Sequence, residues 1–159
     1  MMPPASAVER VHGTALAVGA RAVLIRGPSG AGKSDLALRC IVAPPLAADG
    51  PRAMLVSDDQ VCLAREGDGV VVSPPSALAG KIEVRGLGIV PVPYCPSARL
   101  ALVVDLVPPE AVPRYPLEPL SAVLLGTALP LLRLTPFEAS APAKVVLALI
   151  HSPEVLTPP

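Results

Sequence analysis

The segment from Ala22 to Ser34 constrains the fold of this chain more than any other. A run of apolar, strand-forming residues, Ala22-Val23-Leu24-Ile25, empties into Gly27-Pro28-Ser29-Gly30-Ala31-Gly32-Lys33-Ser34, the full spacing of a phosphate-binding loop. The three glycines let the backbone turn tightly and bring its N–H groups up to phosphate oxygens with no Cβ in the way. Lys33 brings a point charge for the β- and γ-phosphates, and Ser34 a hydroxyl for Mg²⁺. The next residues, Asp35-Leu36-Ala37-Leu38-Arg39-Cys40, have helical propensity and apolar spacing, so the positive end of a helix dipole faces the same anion. Strand, loop and helix in that order predict an α/β domain built around a bound phosphate.

Composition narrows the partner. At 159 residues the chain suits a single domain with one buried core. Thirteen basic and thirteen acidic residues cancel, so no basic stripe argues for nucleic acid. Aromatic residues make up 2% of the chain, which argues against a base-stacking surface and requires a core of Val, Leu, Ala and Ile. No apolar run reaches the ~18 residues needed to span a membrane, and the N-terminus shows no signal peptide. Cys40, Cys62 and Cys95 are odd in number and lack metal-ligand spacing, so they read as reduced, buried thiols of a cytoplasmic protein.

In chain order, residues Met1 to Arg10 read as a loose end. Val11 to Val18 alternates as a strand, and Gly19-Ala20 turns it into the strand before the phosphate loop, which brings His12 back toward Lys33. The proline-rich stretch Ala43–Pro51 must be a surface connection. Ala53–Ser57 returns as a strand and ends in Asp58-Asp59. Two carboxylates placed there supply what a nucleotide site still lacks: one to hold Mg²⁺ or its water shell, the other to take a proton from an attacking hydroxyl. Gln60–Arg65 and Val70–Ser73 read as a hairpin around Glu66-Gly67-Asp68-Gly69. Lys81-Ile82-Glu83-Val84-Arg85-Gly86-Leu87-Gly88 offers Glu83 and Arg85 on one face, with glycines that suit a close backbone approach, or else forms an edge strand with solvated charges. Leu100–Leu106 is a further strand, Ala143–His151 a short buried helix or strand, and the tail from Ser152 a second loose end.

Taken together, His12-Gly13, the phosphate loop, Asp58-Asp59 and Ile82-Glu83-Val84-Arg85-Gly86-Leu87-Gly88 resemble the catalytic C-terminal domain of the bacterial HPr kinase/phosphorylase family. The resemblance implies a P-loop α/β domain with a mixed sheet, related to phosphoenolpyruvate carboxykinase. It implies an ATP- and Mg²⁺-dependent kinase for a serine of HPr or an HPr-like phosphocarrier of the phosphotransferase system. The reverse reaction consumes phosphate and releases pyrophosphate. Carried over, Gly27, Pro28, Ser29, Gly30, Ala31, Gly32, Lys33 and Ser34 bind the nucleotide, and Ser34 and Glu83 serve Mg²⁺. Asp59 is the general base, with Asp58 and His12 beside it; Lys33 holds the transferred phosphoryl and Arg85 positions substrate. A further catalytic arginine is expected beyond the signature, and Arg114 is the candidate.

Longer relatives carry an N-terminal regulatory domain and assemble as hexamers. The expectation here is one kinase domain over residues 1–159, with a core of about 8–151, no regulatory domain, and a homo-oligomer. The family's basic loop tied to dephosphorylation corresponds to Leu134–Lys144, which retains one cation, Lys144. Kinase activity is therefore expected to be more secure than phosphorylase activity. Two other readings remain: a small-metabolite P-loop kinase, and a sensor that binds ATP without transfer, for which a second acid such as Asp59 is dispensable.

Overall fold

Short apolar runs punctuated by glycine and proline form strands here, and two segments form the α-helices, the first free of breakers and the second with a proline, Pro142, only in its first turn, where no N–H is needed. The computed structural model describes residues 8–114 and 118–152. In order they give β1 (Glu9–His12), β2 (Thr14–Val18), β3 (Arg21–Arg26), α1 (Lys33–Val42), β4 (Ala53–Ser57), β5 (Gln60–Glu66) and β6 (Gly69–Ser73). There follow β7 (Lys81–Val84), β8 (Gly88–Pro91), β9 (Ala98–Leu106), β10 (Ser121–Leu124), β11 (Thr127–Leu134) and α2 (Ala141–His151). None of the described helices is long and apolar enough to cross a membrane.

The described strands make one nine-stranded mixed sheet, with β7 and β8 standing apart as a two-stranded hairpin. β3, β9 and β11 run parallel and in register, Arg26 beside Asp105 and Asp105 beside Arg133, so their carboxyl ends are level. The guanidinium of Arg26 ties two of these ends together by donating to both carboxylate oxygens of Asp105 at 2.8 and 3.0 Å. Ligands in sheets of this kind bind outside the carboxyl ends of the parallel strands, where the phosphate loop leaves β3.

A long antiparallel ribbon sets up the rest of the site. β1 and β2 form one arm and β4 and β5 the other; His12 faces Gln60 and Ala15 faces Ser57 across it. Both arms break at the same level, the first at Gly13 and the second at Asp58-Asp59. The backbone N–H of Gly13 donates to the Asp59 carbonyl at 3.0 Å, and the Thr14 hydroxyl donates to the Asp58 carboxylate at 3.0 Å, so the two interruptions are stitched together. Gly13 has to be glycine, because a Cβ there would lie 2.9 Å from the Ile25 carbonyl oxygen.

The sheet buries both faces with aliphatic side chains, as the shortage of aromatics requires. On one face Leu36, Ala37 and Cys40 of α1 and Val145, Ala148 and Leu149 of α2 pack over Val23, Ile25, Leu102 and Val104. The other cluster, which includes Leu24, Val61, Leu63, Val72 and Leu100, is drawn from strands alone.

The fold is α/β with a mixed sheet and a P-loop helix, as expected. Several local expectations are corrected. Glu9 and Arg10 belong to β1, because their backbones pair with Leu63 and Cys62. Ser152 is buried, while the rest of both tails lies outside the described residues. The segment after Lys81 is a hairpin rather than an edge strand of the main sheet. Its glycines answer to turn geometry: Gly86 and Gly88 have φ of 90° and 101°, and a Cβ on either would meet nothing within 4 Å. β10 and β11 were not foreseen. Their turn is Leu125-Gly126, both at positive φ, where Asn-Gly or Asp-Gly would have signalled a hairpin, and Pro130 lies inside β11.

Candidate active site

A cleft of about 520 Å³ opens where the phosphate loop, the ribbon break and the β7–β8 hairpin meet. Of the expected site residues, His12, Ser29, Gly30, Gly32, Lys33, Ser34, Asp59, Glu83 and Arg85 line it. Gly27, Pro28 and Ala31 shape the loop behind the lining. Gly30 and Gly32 hold φ of 80° and 99°, a region that glycine enters without strain. The ammonium of Lys33 donates to the carbonyls of Gly27 at 2.8 Å and Pro28 at 2.9 Å, which anchors it inside its own loop. Burial pulls its pKa below the ordinary lysine range, and the Asp59 and then the Asp58 carboxylates oppose that shift.

The two aspartates, adjacent in sequence, have different surroundings. Asp58 is buried and engaged on both oxygens. Its Oδ1 accepts from the hydroxyls of Ser34 at 2.6 Å and Thr14 at 3.0 Å, and its Oδ2 accepts from the backbone N–H of Glu83 at 3.0 Å. One carboxylate thus ties together the loop, the ribbon and the hairpin. Asp59 stands outside this knot. It has φ of 67°, a left-handed conformation that aspartate tolerates, and the turn is closed by the Gln60 N–H donating to the Asp58 carbonyl at 2.8 Å. Its side chain is 62% exposed, and Oδ1 lies 3.6 Å from Nδ1 of His12. That distance allows an ion pair when the imidazole is protonated.

Magnesium fits what is present. Among the described residues no three His, Cys, Asp or Glu side chains cluster as an all-protein metal cage. Mg²⁺ commonly keeps several waters and takes one or two carboxylates plus substrate phosphates. A serine hydroxyl backed by a buried carboxylate, with Glu83 lining the same cleft, is a donor set of that kind.

Arg114 is exposed, on the connection after β9, and is not among the residues lining the cleft; Arg85, from the turn of the β7–β8 hairpin, is. Lys144 lies on α2, where it pairs with Glu138 at 2.6 Å, and it too is absent from the lining. Sequence reasoning missed Thr14 and Phe137. Thr14 carried a signal in its place directly after His12-Gly13, opposite the acid pair. Phe137 lies in the Leu134–Lys144 loop that the resemblance singles out, but that reading weighs only the loop's cation, Lys144.

With this geometry in view, the comparisons are consistent with one another. A family model described as HPr Serine kinase C-terminal domain matches residues 5–118. An HPr kinase/phosphorylase from Clostridium botulinum is 42% identical over 84 residues, covering 52% of this chain and 25% of that protein. One from Bordetella pertussis is 36% identical over 127 residues, covering 73% of this chain and 39% of that protein. The chain therefore spans between a quarter and two-fifths of the length of these curated relatives. The solved structure of the HPr(Ser) kinase/phosphatase from Coxiella burnetii superposes with a TM-score of 0.72 at 28% identity, covering 87% of this chain and 92% of that one.

Proposed function

The chain belongs to the HPr serine kinase C-terminal domain family, and from that premise we propose that it transfers the γ-phosphoryl group of ATP to a serine of an HPr-type phosphocarrier protein. The observation that carries this reading is the convergence of Lys33, Ser34 and the half-exposed Asp59 on one cleft, with Asp58 fixing their relative positions from beneath.

Phosphoryl transfer asks little covalent chemistry of a protein. It needs the phosphoryl group held in line with its acceptor and its charge neutralised. The backbone N–H groups of Gly27–Ser34 and the Lys33 ammonium bind the phosphates. Ser34 and Glu83 would hold Mg²⁺, which would neutralise phosphate charge when bound, and Asp58 keeps the Ser34 hydroxyl oriented. Asp59 accepts the proton of the serine hydroxyl as the serine oxygen bonds to the γ-phosphorus and the bond from that phosphorus to the β-phosphate oxygen breaks. His12 stands beside Asp59, with Nδ1 3.6 Å from its carboxylate oxygen. Arg85 faces the incoming protein from the hairpin turn. Arg114, outside the cleft lining, is given no role.

The kinase direction is the better supported. The one cation retained in the Leu134–Lys144 loop is committed to Glu138 rather than to the cleft. By the same resemblance the protein works in the cytoplasm as a homo-oligomer.

The test is to incubate the protein with γ-labelled ATP, Mg²⁺ and purified HPr-type carriers. Label on a carrier serine supports the proposal. Nucleotide binding with no transfer to any carrier would turn the reading into the nucleotide sensor, and transfer only to small metabolites would make it a metabolite kinase.

A further inference from the structure

The cleft contains an aromatic ring that the transfer chemistry does not use. Phe137, the single phenylalanine of the chain, lines the cleft with 72% of its surface exposed. Leaving a phenyl ring in water forgoes the gain of burying it. Nevertheless the backbone holds it there. Arg39 of α1 donates to the carbonyl of Pro136 on one side of Phe137 and to that of Glu138 on the other, the latter at 3.3 Å. The ring edge lies against Gly32, where a Cβ would come within 3.0 Å of Cζ and 3.1 Å of Cε1. The loop bearing Phe137 leaves β11, whose carboxyl end is level with that of β3. Ring and phosphate loop therefore meet at the same edge of the sheet, fastened through the same helix.

The cleft is chemically divided. His12, Asp59, Glu83 and Arg85 come from the ribbon break and the hairpin, and their charges suit the transferring group and its acceptor. The wall formed by α1 and the β11–α2 loop offers Leu38 and Phe137, its one carboxylate, Asp35, being paired with Arg39 at 3.0 Å, while Val84 is the apolar residue on the hairpin side. A nucleotide whose phosphates lie in the Gly27–Ser34 loop extends its nucleoside along the cleft, and the apolar wall is the one suited to the flat face of a base. We propose that Phe137 is the platform on which the nucleobase stacks. Since every base has a π-face and a phenyl ring reads no hydrogen-bonding edge, the subsite accepts adenine and guanine alike. Scarcity of aromatics argues against a surface for a run of bases, but one ring suffices for one base. This inference rests on the kinase reading above.

Calorimetric titration of the wild type, Phe137→Ala and Phe137→Trp with Mg-ATP, Mg-GTP and Mg-tripolyphosphate tests it. Stacking on one ring is expected to make the affinity of Phe137→Ala for both nucleotides weaker on the order of tenfold, with tripolyphosphate unchanged and Phe137→Trp restoring the loss. An equal loss for tripolyphosphate would overturn the platform, because the ring would then be shaping the phosphate loop. Unchanged nucleotide affinity would also overturn it. If the KM for the carrier alone then rises, the ring belongs to protein docking. Wild-type protein that binds tripolyphosphate as tightly as ATP sinks the platform and leaves the phosphate loop standing, whereas failure to bind either sinks the kinase reading and this inference together.

Discussion

The floor of the cleft and its rim are built by consecutive residues with opposite surroundings. At the floor, Asp58 is buried and accepts three hydrogen bonds from three different parts of the fold. At the rim, Asp59 is turned out by a left-handed backbone and is half-exposed beside His12. A buried carboxylate whose lone pairs are taken up is a scaffold, because a proton cannot be accepted there without breaking the hydrogen bonds that fix the site. An exposed carboxylate with its oxygens free can accept a proton from an incoming hydroxyl. The difference teaches that the acid pair divides its labour by burial.

The largest expected effect breaks the rim alone. Asp59→Asn keeps the side-chain shape, and asparagine tolerates the same left-handed backbone, so no strain is added. Loss of the base should slow transfer to the carrier by roughly 10²- to 10⁴-fold. Stability should stay within about 0.5 kcal/mol, as for exposed sites generally. Single-turnover phosphorylation and thermal melting measure the two, and undiminished transfer would assign the base role elsewhere.

Asp58→Ala attacks the floor. The hydroxyls of Thr14 and Ser34 and the N–H of Glu83 lose their acceptor, at a cost of about 2–4 kcal/mol in total. For a chain of this size that lowers the melting temperature by roughly 5–10 °C. Transfer falls as well, since the loop, ribbon and hairpin are no longer held together. A variant that melts like the wild type would show that the knot contributes nothing to the scaffold.

How far this division was legible in the sequence follows from what kind of information each part needs. The phosphate loop was readable because its chemistry is local: glycines, lysine and serine at fixed spacing between an apolar run and a helical one. The pairing of Asp58-Asp59 with that loop was readable from order along the chain. Which aspartate does what came only from the family resemblance, which names Asp59 as the base; the residues alone leave it open, because it depends on register. The break at Gly13 has to fall opposite the acid pair before Thr14 can reach Asp58 and Gly13 can hold the Asp59 carbonyl. The loop of Phe137 was marked by resemblance, but its place at the cleft was not legible, because it gets there through β10 and β11, whose Leu-Gly turn and internal proline hide a hairpin. Arg114 was carried over from the family resemblance on its place after an apolar strand, but sequence position does not say toward which side the connection after β9 runs.

Gly13→Ala probes the stitch between floor and rim. The new Cβ would approach the Ile25 carbonyl oxygen to 2.9 Å and Leu24 Cδ1 to 3.0 Å, so the strand must shift. Overpacking of this kind costs about 1–3 kcal/mol. Because the same residue donates to the Asp59 carbonyl, the shift also moves Asp59 relative to His12, and transfer should fall several-fold while nucleotide affinity holds. A melting temperature lowered with transfer intact would mean that the rim tolerates displacement.

The smallest expected effect is a null, and it separates the two aspartates without any activity assay. Cys40 lies on the buried face of α1, packed toward α2, and burial pushes its thiol up to about 12. At neutral pH it is protonated and covered, so alkylation must wait for the structure to open. Cys62 and Cys95, expected from the sequence to be buried as well, are instead partly exposed and react first. Where labelling follows the open population, a stability loss of about 2 kcal/mol raises the rate at Cys40 roughly 30-fold. Asp58→Ala should show that acceleration and Asp59→Asn should not, because only the first removes contacts that hold α1 to the ribbon through Ser34. Equal labelling of Cys40 in both variants, measured by mass spectrometry of the alkylated peptides, would mean that floor and rim unfold as one unit and that burial alone does not set their roles.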